Sequence, residues 1–194
     1  MGRVHYAWVV AGGSFATLVA AAGFRAAPGR SMVPLHEAGW SISTMSAAVS
    51  VNLVLYGLIA PFAAALMDRF GIRRVVCVGL LLIAAGAGLS VLATTAWHLI
   101  LTWGLLIGAG TGSMAMVFAA TVANAWFVKR RGLVMGVLTA GGAAGQLVFL
   151  PLVAYLVEVT DWKVASLIVA AAALAVLPLA AALLRDRPSD VGLP

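Results

Sequence analysis

Charge is scarce in this chain. Asp, Glu, Lys and Arg make up 9% of its 194 residues, against about 25% in a soluble domain, so a solvated globular surface is excluded. Cysteine is nearly absent: Cys77 stands alone, which rules out an intrachain disulfide and a cysteine-rich metal site. Strict alternation of apolar and polar residues is missing as well, which removes a membrane β-barrel. The net charge of +6 comes from twelve basic residues diluted among apolar ones; they form no phosphate-binding face, and nucleic acid is not an expected partner. What remains is Ala, Leu, Val and Gly, 63% hydrophobic residues and a mean hydropathy of +1.09. This composition belongs in a lipid bilayer.

A hydrocarbon core about 30 Å thick takes roughly 20 apolar helical residues to cross. Charge-free runs place six such segments, over residues 6–24, 44–67, 75–94, 97–122, 132–157 and 164–184, with residues 185–194 opening a cytoplasmic loop. The expected fold is therefore an all-α membrane bundle. The first segment follows Arg3 and ends near Ala20–Ala22, as a signal peptide would. Its apolar stretch is longer than a signal peptide's, and five spans follow, so it reads as a retained helix.

An even number of spans puts both termini on one side. That side collects Arg3, Arg69, Arg73, Arg74, Lys129, Arg130, Arg131, Arg185 and Arg187; the other holds Arg25, Arg30 and Lys163. The positive-inside rule makes the richer side cytoplasmic. Trp8, Trp40, Trp97, Trp126 and Trp162 fall at span ends, where an interfacial belt is expected. His5, His36 and His98 lie near separate ends and make no metal site. No Asp, Glu or Lys falls inside any span, so an intramembrane enzyme lacks its acid, base or nucleophile; no cofactor is expected.

Polar residues are unevenly shared. Spans three and six carry little beyond Ser90 and Ser166, while the others hold Ser14, Thr17, Asn52, Tyr56, Thr111, Ser113, Thr139 and Gln146 among others. Unpaired polar groups are costly in hydrocarbon, so spans three and six are expected to face lipid and the rest a polar interior. A pattern that repeats after three helices fits two inverted three-helix repeats. Any single Ser or Thr is accounted for as readily by a bond to its own helix. Gly104, Gly108 and Gly112, and again Gly141 and Gly145, recur every four residues and read as packing ridges.

Between spans two and three runs Ala64-Ala65-Leu66-Met67-Asp68-Arg69-Phe70-Gly71-Ile72-Arg73-Arg74. A stop-transfer loop explains the arginines. It does not explain Asp68 ahead of them, which is placed to pair with Arg69 or Arg73 or to face a helix N-terminus. The segment resembles the signature Gly-x-x-x-Asp-Arg-x-Gly-x-Arg-Arg of the major facilitator superfamily, with Ala64 in place of the first glycine. Trp126-Phe127-Val128-Lys129-Arg130-Arg131-Gly132-Leu133-Val134-Met135-Gly136 resembles the entry to helix five of its monocarboxylate and oxalate/formate transporters. The start Tyr6-Ala7-Trp8-Val9-Val10 looks bacterial, which implies an inner membrane.

The resemblance implies a twelve-helix secondary transporter of which this chain is the N-terminal six-helix half. It implies alternating access driven by proton or anion exchange, a small organic anion as substrate, and a gating loop formed by Asp68, Arg69, Gly71, Arg73 and Arg74. The chain then reads as a fragment, as a half-carrier completed by a second six-helix half or a second copy, or as a non-transporting remnant or assembly partner. Candidate substrate ligands are Arg25, Asn52, Tyr56 and Gln146. Arg25 sits about 28 Å along the first span from Tyr6, where it either snorkels to headgroups or meets a carboxylate. Asn52 and Tyr56 share a helix face and serve either as solute contacts or as interhelical glue, and the same choice stands for Gln146.

The topology makes a direct prediction. In intact cells a cysteine replacing Ser189 will be shielded from impermeant thiol reagents while one replacing Thr160 reacts; the opposite pattern inverts the orientation.

Overall fold

The computed structural model describes residues 3–186 apart from 31, 38, 115, 128 and 129, with side chains undescribed also at 3–5, 23–30, 32–34, 116 and 157. All regular structure among the described residues is helical: α1 (Arg3–Arg30), α2 (Met32–Glu37), α3 (Ile42–Phe70), α4 (Ile72–Ser90), α5 (Ala96–Leu99), a π-helical stretch (Ile100–Ile107), α6 (Gly108–Ser113), α7 (Met116–Trp126), α8 (Arg131–Val159) and α9 (Trp162–Leu183). The elements from α5 to α7 together make the fourth span, Ala96–Trp126.

Among the described residues, five helical rods are long and apolar enough to cross a membrane: α3, α4, the fourth span, α8 and α9. In α1 the described apolar stretch is Tyr6–Ala22, about 26 Å at 1.5 Å per residue. Helices outrun the charge-free runs because charge does not end a helix. Asp68 and Arg69 stay in the last turn of α3, Arg73 and Arg74 lie in the first turn of α4, and the interruption is Gly71 alone, at φ 91°. Ser41 starts α3 by accepting the Thr44 N–H at 3.2 Å, which satisfies one of its free amides.

The helices pair in a definite pattern. α1 packs on α8 and α9, α4 on α9 and the fourth span, and α3 on the π-helical stretch and α6. Glycines set how closely. On the fourth span, a methyl at Gly104 would stand 2.9 Å from Val51, at Gly108 3.0 Å from the Asn52 Cα, and at Gly112 3.1 Å from the Tyr56 Cα. On its other side one at Gly110 would stand 2.6 Å from the Gly79 carbonyl oxygen. On α8, Gly141 meets the Phe15 ring and Gly145 the Val19 backbone of α1. Side-chain-free contact lets dispersion act between backbones where lipid offers no hydrophobic drive.

Two expectations are corrected. α4 does not lie out in lipid. It is held between α9 and the fourth span with Val76, Leu80 and Ile83 fully buried, so its aliphatic composition serves the bundle interior, and Val78, Leu81 and Leu89 are its exposed side. Trp126 and Trp162 are buried at 8% and 5% exposure and do not belong to a belt; the Trp126 ring packs on Tyr6 at 6.0 Å.

Gly110→Ala is expected to destabilise the purified chain by about 1–3 kcal/mol through overpacking. Gly136→Ala, with open space around it, should be neutral or gain up to about 1 kcal/mol from helix propensity. Thermal unfolding in detergent checks both.

Candidate functional site

A cavity of about 330 Å³ opens where α1, α3, the fourth span and α8 converge. Tyr56 enters it from α3, Thr111 and Met114 from the fourth span, Thr139 and Gln146 from α8, and Leu18, Ala21 and Ala22 from α1. Thr139 and Gln146 are seven residues apart, two turns on one helix face. The fourth span breaks at the cavity: Met114 sits in a turn at φ −109°, ψ 24°, its N–H reaching the Thr111 carbonyl at 3.1 Å. Glycines build this wall, since Gly108 and Gly112 draw α3 in and Gly141 and Gly145 draw α1 in.

The lining is neutral. Thr111 and Thr139 donate their hydroxyls to the Ile107 and Met135 carbonyls, each at 2.8 Å, and so offer the cavity acceptor lone pairs. Thr17, Thr102, Ser113 and Thr121 bond to their own helices in the same manner, the local explanation weighed from the sequence. Arg25 lies in α1, three residues past Ala22 and seven past Leu18, hence on the turn that follows the cavity-lining face; its side chain lies outside the described residues. Tyr56 and Gln146 are thus brought to one cavity. Asn52 is not: 6% exposed, it donates its amide N–H to the Trp103 carbonyl of the fourth span at 2.8 Å, the bond of interhelical glue.

At one end of the bundle a second cavity, of about 430 Å³, is lined by Asp68, Arg69, Gly71, Arg74, Thr121 and Asp186. Arg69 lies 5.3 Å from the Phe70 ring centroid, within cation–π range. The carboxylate on the N-terminus of α4 belongs to Asp186, whose Oδ1 accepts the Arg73 N–H at 2.8 Å. Sequence reading passed over Asp186, because a contact across 113 residues leaves no local signature; the one clue is an acid at the end of span six facing a basic cluster. In the sequence Thr111 and Thr139 stand out only as polar residues, although the spacing of Thr139 and Gln146 places the two on one face.

The other motif divides. Lys129 lies outside the described residues. Arg130 precedes α8, Arg131 Nε donates to the Phe127 carbonyl at 2.7 Å, and Gly132 and Gly136 have nothing within 4 Å of an added methyl, so these two glycines are not packing positions.

Comparison with known proteins agrees with this architecture. The profile of the Major Facilitator Superfamily matches residues 7–194, and the chain belongs to that superfamily. It is 32% identical to monocarboxylate transporter 11 of Mus musculus over 181 residues, covering 92% of this chain and 40% of the relative. It is 35% identical to monocarboxylate transporter 13 of Bos taurus over 127 residues, 64% of this chain and 29% of the relative. With the riboflavin transporter of Saccharomyces cerevisiae it shares 30% identity over 146 residues, 74% of this chain and 28% of the relative. The chain thus spans between a quarter and two fifths of the length of these relatives. It is a multi-pass membrane protein of a transporter family, resembling the monocarboxylate group.

Asn52→Ala is expected to lower stability by about 1 kcal/mol, read as a fall in unfolding temperature. Gln146→Leu, on the cavity wall, should leave that temperature unchanged; equal losses would place both residues in packing.

Proposed function

We propose that this chain forms the N-terminal six-helix half of a secondary transporter that moves a small organic anion across the membrane by alternating access. The observation that carries the reading is the first cavity. Three helices bring hydrogen-bonding groups, Tyr56, Thr111, Thr139 and Gln146, into a wall that α1 completes with Leu18, Ala21 and Ala22, and residue Arg25 follows one turn on in α1. Neutral groups orient the solute and Arg25 meets its carboxylate. The monocarboxylate transporters among the relatives support an anion; the riboflavin transporter marks a larger neutral alternative.

In this reading α1 is also a span, the first of six, both termini are cytoplasmic, and spans one to three and four to six are inverted repeats. Helix pairing supports the repeats. Exchanging one with four, two with five and three with six turns the α1–α8 contact into fourth span–α3, turns α4–fourth span into α9–α1, and leaves α4–α9 in place. The large exposed side chains of α3 (Leu53, Val54, Leu58, Phe62) and α8 (Leu147, Val148, Leu152) are the faces to be covered by lipid and by a second six-helix unit. Asp68, Arg69, Gly71, Arg73 and Arg74 form the loop that latches the halves, and the glycine ridges double as sliding surfaces during rocking.

Uptake into proteoliposomes holding the full-length protein under a proton gradient tests the proposal. Lactate, pyruvate, formate and oxalate should accumulate saturably in place of riboflavin, and Arg25→Gln should weaken carboxylate uptake about tenfold, or ~1.4 kcal/mol. Riboflavin uptake unaffected by Arg25→Gln would overturn the anion, and carboxylate uptake unaffected by it would leave Arg25 a headgroup anchor.

A further inference from the structure

We propose that Asp186 is the positioning residue of the gating loop, and that the segment 184–186 clamps the starts of α1 and α4 together at one end of the bundle. The inference rests on the transporter reading only for its consequence in gating.

The start of α4 is electrostatically adverse. Helix N-termini carry free N–H groups and partial positive charge. This one has no acid in its first turn, no side-chain cap from Gly71, and Arg73 and Arg74 in the unfavoured position. Asp186 offsets the first two defects, its Oδ1 accepting the Arg73 N–H at 2.8 Å and so setting a negative charge at this helix end. Gly71 makes the approach possible: the carboxylate packs where a side chain at 71 would stand, so an added methyl would collide with it. Positive φ alone asks for glycine there; the carboxylate asks for it again.

The neighbours of Asp186 complete the clamp. Leu184 is fully buried. Arg185 Nε donates to the Tyr6 hydroxyl at 3.2 Å, and Tyr6 packs on Trp126. Two consecutive residues therefore hold opposite sides, α4 through Asp186 and α1 with the fourth span through Arg185. The loop is fastened to the exit of α9, and swinging it requires release of Asp186, while Asp68 lines the cavity beside it.

Cys77, the sole cysteine, is a built-in reporter one turn past Arg73 and half-buried. Asp186→Ala should raise its alkylation by N-ethylmaleimide by about threefold or more through local opening. Asp186→Asn, which keeps an oxygen acceptor and loses the charge, should give a smaller rise. A native rate in Asp186→Ala, or an equal rise in Asp186→Asn, overturns the clamp. Amide exchange in the unsubstituted protein needs no variant: slow exchange at Arg73 supports the bond, and exchange as fast as in an open loop refutes it. Both readouts are independent of uptake, so failed transport bears on the proposed function and leaves the clamp standing or falling on its own.

Discussion

Backbone approaching backbone at glycine is the contact on which the bundle depends. In hydrocarbon, apolar side chains gain little by leaving lipid for one another, so helices cohere through close dispersion contact and a few interhelical hydrogen bonds. The fourth span shows both. Gly104, Gly108 and Gly112 lie on α3 and Gly110 lies on Gly79 of α4, while Asn52 ties α3 to the Trp103 carbonyl. The span is gripped from two sides, and the cavity forms below that grip. A larger residue at Gly108 or Gly112 would separate the walls that present Tyr56 and Thr111.

The same constraint explains which features were legible. Lipid demands long charge-poor helices, so the approximate places of α3, α4, the fourth span, α8 and α9 were readable from where Arg and Lys fall. Glycine ridges were readable because a helix repeats its face every three to four residues. Loop length was not, since Asp68 and Arg73 remain helical and Gly71 alone makes the break. Trp126 was misread because tryptophan serves interfaces and cores alike, and only packing against Tyr6 distinguishes them. Asn52 looked like a solute contact from its register with Tyr56; the partner that claims it, Trp103, lies on another helix. Asp186 was invisible for the same reason.

The two cavities divide the electrostatics between them. The one between the helices is lined by neutral groups, which admit a solute without the desolvation penalty of a buried charge. The one at the bundle end gathers Asp68, Arg69, Arg74 and Asp186, where water and headgroups screen them. Under the proposed transport function, the solute is bound at depth by hydrogen bonds and apolar surface with Arg25 beside them, and gating falls to the charges at the rim. Fastening the charged loop to α9 through Asp186 joins the gating end to the helix that leads out of the bundle.

The most direct test is whether water reaches the first cavity in a membrane. With Cys77 replaced by serine, single cysteines at Thr139 and Gln146 should react with a charged, water-soluble thiol reagent in reconstituted protein and be protected by the transported solute. A cysteine at Leu174, exposed on α9, should not react. Equal silence at all three positions, or reaction without protection at the two cavity positions, would contradict a solute pathway along this wall.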